Sequence, residues 1–260
     1  MDDDPHLFDY LLRLADSDLI LAQRLGEWVG KGPVLEEDIA LTNVGLDLLG
    51  QARLWFGYAG DVEARWRDQG RSEDELAFLR DAAAFRNLLI AEQPNADYGT
   101  TTARQFYFDH WHFLALRALT ASRDARIAEI AAKAVKEVAY HVERSNDWVI
   151  RLGDGTEASH RKMQAALDDL WMYTGEMFEP DAVELALVEA GIAADARALR
   201  EPWQENVGRV LDEATLALPQ GAWMQGASGR GGKQGIHTEH LGHLLAEMQF
   251  LQRAYPGARW

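Results

Sequence analysis

The sequence predicts an all-α protein, a four-helix bundle extended by additional C-terminal helices. Three observations carry that prediction. Apolar residues recur at spacings of three and four over stretches of twenty or more positions. No alternating apolar and polar run is long enough to suggest a strand. The seven prolines, at 5, 33, 94, 180, 202, 219 and 256, punctuate the helical pattern.

The elements follow in order. Residues 7–29, LFDYLLRLADSDLILAQRLGEWV, form a first helix, and GKGP stops it. Residues 35–59 repeat the pattern as far as GYAG, and a weaker helix over 74–92 runs into EQPNADYG. Two long helices, 99–121 and 125–152, join at SRDA, and the second ends in LGDGT. Shorter helices fit 158–178, 181–191, 195–216 and 238–254, with Thr238 placed to cap the last. Tight joins between long helices imply two helical hairpins. The chain therefore reads as a single domain, 1–260, with its core bundle over about 7–155 and accessory helices over about 156–260.

Composition excludes several classes of function. Hydrophobic residues make up 47% of 260 positions, with nine Trp, nine Phe and seven Tyr, enough to fill a sizeable core. There is no cysteine, so disulfides, thiolate zinc sites and a cysteine nucleophile are ruled out. The start MDDDPHLFDY lacks the basic and apolar regions of a signal peptide. No apolar run approaches the roughly 18–20 residues of a membrane span, so a cytoplasmic location is expected. Against 26 Lys and Arg stand 42 Asp and Glu, a net charge of −16 that disfavours nucleic acid and anionic membranes as partners. A phosphate-bearing ligand would need a local basic patch.

Polar residues on the buried stripes point to possible chemistry. On helix 99–121, Thr102, Gln105, Asp109 and His112 share a face; on helix 125–152, Ala134, Glu137, His141 and Ser145 do so. Asp109 and Glu137 lie equally far from the join near Arg123, and so at the same height in a hairpin. Asp18 and Asp47 stand in a similar relation about Gly32. Four carboxylates at mid-bundle are the layout of a carboxylate-bridged metal pair, in which two helices also supply a histidine three residues after the acid. Here that slot is Gly50 after Asp47 and Tyr140 after Glu137. His141 arrives one residue late, rotated by roughly 100°. Asp109 and His112 have the spacing, but on a helix expected to supply only the acid. The residues Asp18, Asp47, Gly50, Asp109, His112, Glu137, Tyr140 and His141 thus read as a vestigial metal site, a polar core network with no metal ligands and no catalytic residue. The alternative is an active di-iron or di-manganese oxidase using Asp18, Asp47, Asp109, His112, Glu137 and His141.

Several segments resemble a known family: LRLADSDLILAQRLGEW, EEDIALTNVGLDLLGQAR, NLLIAEQPN, ARQFYFDHWH, KAVKEVAYH and GGKQGIHTEHLGHLLAEMQFLQR. Together they resemble the ferritin-like structural subunits of the bacterial 1,2-phenylacetyl-CoA epoxidase, a ring monooxygenase of aerobic phenylacetate catabolism. The resemblance implies a ferritin-like fold and a heteromeric complex. In it, a sister ferritin-like catalytic subunit holds di-iron, and a reductase with FAD and an iron–sulfur cluster delivers electrons from NADPH. It further implies that this chain is non-catalytic, carries no cofactor, supports its partner and helps hold phenylacetyl-CoA.

Two segments are candidates for the CoA contact. In AAFRNLLIAEQPNADYG, Phe85, Arg86 and Asn87, with Gln93 and Asn95, supply an aromatic, a cation and amides for adenine, phosphate and pantetheine. In GASGRGGKQGIHTEH a nucleotide P-loop is excluded, because Ala227 and Gln234 stand where glycine and Ser or Thr are required. Arg230, Lys233 and the glycine amides remain as a looser phosphate contact. His240, His243 and Glu247 share one helical face, more typical of an interface or solvent side than of a metal site.

Overall fold

The computed structural model describes residues 4–223 and 231–258. The described residues contain α-helices and short 3-10 turns, with no strand. They divide into two compact units, one built from the chain up to Gln93 with the segment from 231 onward, the other starting at Pro94.

In the first unit, α1 (Asp4–Gly26) and α2 (Leu35–Glu63) pack along their length as a hairpin. The turn between them uses Gly30 at φ +78°, and the Gly32 N–H donates to Asp38 Oδ2 at 2.9 Å. Leu11, Ile20, Leu21 and Leu25 are buried with Leu41, Leu48, Trp55 and Val62. Completing the unit are α3 (Glu73–Phe78), α9 (Glu239–Met248) and α10 (Phe250–Ala254).

The helix expected over 74–92 is a correction. Only six residues are α-helical, in α3, and two 3-10 turns follow at Ala82–Ala84 and Leu89–Glu92. The physical reason is that side chains of α1 capture this stretch. Buried Asp16 takes the Arg80 guanidinium through both carboxylate oxygens and accepts the Arg86 N–H at 2.8 Å. Ser17 Oγ accepts the Leu88 N–H at 3.1 Å, and Arg24 donates to the Glu92 carbonyl at 2.7 and 3.1 Å. A backbone held by such partners does not continue an i to i−4 ladder.

A second buried carboxylate fastens the C-terminal segment. Glu92 accepts from Asn87 Nδ2 at 2.9 Å, His237 Nδ1 at 2.8 Å, and the Thr238 N–H and hydroxyl at 2.6 and 2.7 Å. Thr238 stands at the N-cap of α9 as expected, but its hydroxyl serves Glu92 and makes no cap bond. The other His237 nitrogen, Nε2, faces the Phe85 carbonyl at 3.1 Å. Both ring nitrogens thus face oxygens, and the buried ring ties Glu92 to the backbone at Phe85. The helix expected over 238–254 is interrupted at Gln249, whose amide donates to the carbonyls of Ala77 and Arg80 at 3.1 and 3.0 Å.

The second unit pairs α4 (Tyr98–Leu119) with α5 (Ala125–Gly153), and α6 (Glu157–Trp171) and α8 (Ala196–Glu213) pack against both. Between them lies α7 (Ala182–Glu189). Side-chain oxygens cap each start: Asp97, Asp124, Thr156, Asp181 and Asp195 accept from the first turns of α4 to α8. The expected 158–178 helix ends early, and a 3-10 turn at Gly175–Phe178 follows. A Cβ at Gly175 would lie 2.5 Å from the Trp223 ring, so only glycine fits there. Tyr107, Trp171, Phe178 and Trp203 form the aromatic core, with Trp203 Nε1 donating to the Tyr107 carbonyl at 3.0 Å. The accessory region beyond residue 156 therefore serves both units, 157–223 in the second and 231–258 in the first.

Stability is expected to respond unequally to the loss of these ion pairs. Asp16→Asn leaves the Arg80 cation buried without its partner and is expected to cost about 3–5 kcal/mol in urea unfolding. Arg65→Ala removes the exposed pair with Asp4 and a hydrogen bond with Tyr58, and is expected to cost about 1 kcal/mol. His237→Ala strips Glu92 of its buried imidazole partner, with an expected loss of about 1–3 kcal/mol and earlier hydrogen exchange at Thr238.

Candidate functional site

The polar residues of the second unit's core come from α4 and α5. Asp109 and His112 on α4 are buried, as are His141 and Ser145 on α5. Burial raises the Asp109 carboxyl to about 6; the charge of His141, a hydrogen bond from Ser145 and the charge of Arg144 limit that rise. Burial, with a smaller repulsion from His141, lowers the His112 imidazole to about 3. Gln105 lies one turn before Asp109, its amide nitrogen 3.5 Å from Oδ1. The His112 ring packs among aromatic neighbours, 5.1 Å from Phe108 and stacked on Trp111. On the same helix, His110 is buried and lowered to about 4, chiefly by desolvation, with Nε2 donating to Asn146 Oδ1 at 2.8 Å. These shifts are the properties of a desolvated polar core, with neutral imidazoles and a carboxyl that is protonated below about pH 6. A dinuclear centre needs several ionised carboxylates at close quarters instead.

Of the remaining residues expected in the network, two face elsewhere. Glu137 is 28% exposed on its side chain and lies 3.9 Å from Lys133, and Tyr140 is 48% exposed. The inward stripe of α5 runs through Ala134, Val138, His141, Ser145 and Val149. Asp109 meets His141, Arg144 and Ser145 rather than Glu137, and since one residue turns a helix by roughly 100°, Glu137 and Tyr140 lie off the buried face. In the first unit Asp18 is buried on α1, whereas Asp47 on α2 is half-exposed. A Cβ at Gly50 would meet nothing within 4 Å, so sterics do not require a glycine there. Among the described residues no three His, Asp or Glu side chains are grouped so as to hold a metal ion. The donor set as placed does not fit a di-iron or di-manganese pair.

The candidate CoA residues are engaged within the chain. Phe85 is fully buried, with the Arg80 guanidinium 4.3 Å over its ring. Arg86 Nε donates to Asp9 at 3.0 Å, and Nη1 donates to the carbonyls of Ala83 and Phe85. Asn87 is buried and donates to Leu88 O and Glu92. Gln93 donates to the Leu89 carbonyl, and Asn95 accepts from Thr101 and Arg104. Lys233 is buried in the 3-10 turn Gly232–Gln234, and Arg230 lies outside the described residues. On α9, His243 and Glu247 are exposed and His240 half-exposed.

Asp16, Arg80, Glu92 and His237 carry the strongest buried electrostatics of the first unit, and none of them stands out from sequence spacing. A local signal was present: Asp16 sits among Leu12, Leu14 and Leu19, and Glu92 follows LLIA. Their partners lie 64 and 145 residues away, beyond any spacing rule.

The phenylacetic acid catabolic protein family matches the chain over residues 1–260. A curated relative from Escherichia coli (strain K12), the C component of 1,2-phenylacetyl-CoA epoxidase, is 50% identical over 251 residues. That alignment covers 96% of this chain and 98% of the relative. This chain belongs to the phenylacetic acid catabolic protein family, and its all-helical structure is ferritin-like.

Proposed function

We propose that the chain is the structural subunit of a phenylacetyl-CoA epoxidase in aerobic phenylacetate catabolism. In this reading it pairs with and stabilises a ferritin-like catalytic subunit that holds the di-iron centre, and it contributes to holding the CoA substrate. Electrons reach the catalytic subunit from a reductase with FAD and an iron–sulfur cluster. The observation that carries the reading is the donor set: the two histidine slots hold Gly50 and Tyr140, and Tyr140 and Glu137 turn away from the buried Asp109, His112 and His141. Likeness over almost the full length of the Escherichia coli epoxidase component supports the complex and the pathway.

Metal analysis of the chain purified alone, after growth with added iron, tests this. Well under one iron per chain is expected, and two per chain would overturn the reading in favour of an active di-metal oxidase. Asp109→Asn in the reconstituted complex is expected to lower turnover by less than about tenfold, since no reaction step uses that carboxyl.

The buried core also sets a pH dependence. In the folded state His110 and His112 stay neutral, while in the unfolded chain they take up protons below about 6.5. Their contribution is therefore lost as the pH falls. Asp109 acts oppositely, because its folded carboxyl holds a proton up to about 6 that the unfolded one releases near 3.8. Between about pH 6 and 4 the unfolded state binds one more proton from these three groups, a loss of about 1.4 kcal/mol per unit of falling pH. In urea titrations across that window His112→Asn is expected to lower the slope by about 1.4 kcal/mol per pH unit and Asp109→Asn to raise it by about as much.

A further inference from the structure

Helix α2 is apolar on two faces. Its inward stripe, Leu41, Val44, Leu48 and Trp55, is buried in the first unit. A second stripe faces outward: Leu35 is 72% exposed, Ile39 52%, Leu46 60% and Leu49 40%, with half-exposed Thr42 between them. The steps 35, 39, 42, 46, 49 alternate four and three, which is the seam of a helix packed against another helix. Contrast α5, whose exposed positions include Glu129, Lys133, Lys136, Glu143 and Asp147, the ordinary composition of a water-facing surface. Beside the outward stripe runs a groove of about 230 Å³, where Ala22, Gly26 and Gly45 leave space bordered by Val29, Leu46 and Leu49. Small residues beside large ones form holes for a partner's knobs. The bare apolar area is on the order of several hundred Å², at the upper end of what a monomer leaves uncovered.

From this geometry we infer that the outward face of α2, with the α1–α2 groove, is the docking surface for one apolar helix of a different protein chain. Charge chooses the occupant. Glu36, Glu37 and Asp47 edge the seam, and the chain carries a net charge of −16. A second copy would set these acids against each other, whereas a helix with Lys or Arg flanking its own heptad seam meets them favourably. The occupant is such a helix, packed at the shallow angle that heptad seams adopt. This deepens the proposed function, and rests on it only in taking the partner to be the ferritin-like catalytic subunit.

The test co-expresses the full-length chain with that catalytic subunit and measures pairing by co-purification and sedimentation. Leu46→Glu with Leu49→Glu is expected to weaken pairing by at least about a hundredfold, because two seam anchors are replaced by charges. Phe250→Glu, an equally exposed apolar position on α10, is expected to leave it unchanged. Circular dichroism and thermal unfolding confirm that the variants fold, as substitutions at exposed sites should. If wild type pairs and the double variant pairs equally well, the surface is overturned while the pairing stands. If wild type does not pair, both fall. If the chain alone forms a dimer that the double variant breaks, the occupant is a second copy, and the inference is overturned in favour of self-association.

Discussion

Two carboxylates without access to water organise the first unit. Asp16 and Glu92 are both fully buried, and an isolated charge there would be prohibitively costly. Each is matched by a basic side chain and by backbone donors: Arg80 and the Arg86 N–H for Asp16, His237 and the Thr238 N–H for Glu92. These basic side chains lie far from the acids along the chain. Satisfying the two acids therefore dictates that residues 80–93 lie along α1, and that the segment from 231 onward returns to the same unit. Burial raises the Asp16 carboxyl even so, while Arg80 and the Arg86 N–H hold it down, so the pair is strongly coupled to correct folding.

The polar core of the second unit is built on another principle. Asp109, His112 and His141 are close enough to influence one another's charge, but burial rather than opposite charge dominates Asp109 and His112. A metal pair would reverse that balance, because bound cations hold carboxylates ionised. Burial alone raises the Asp109 carboxyl and keeps the His112 imidazole neutral, and a bundle can keep such groups as hydrogen-bonding fillers. Glu137 and Tyr140 then serve the outer surface, where Glu137 lies near Lys133.

The helix pairs were legible in the sequence because a period near 3.6 repeated over more than twenty residues in α1, α2, α4 and α5. The stretch 74–92 was not legible, since Asp16, Ser17 and Arg24 fix its path by bonds across more than sixty residues. Counting from the join missed heights as well as facing directions: Asp109 meets His141, Arg144 and Ser145, one to two turns beyond Glu137. His141 is buried while Glu137 is partly exposed, and counting from a join is insensitive to a rotation of one residue. The internal bonds of Arg86 and Asn87 to Asp9, Asp16 and Glu92 were not legible either, because spacing alone does not pair such residues.

On the reading proposed above, this bundle serves a complex without itself carrying the metal pair. Anomalous X-ray diffraction at the iron edge, from crystals of the assembled, iron-loaded epoxidase, tests that most directly. Iron peaks are expected within the catalytic subunit and none between Asp109, His112 and His141 of this chain. An iron peak at those three residues would contradict it.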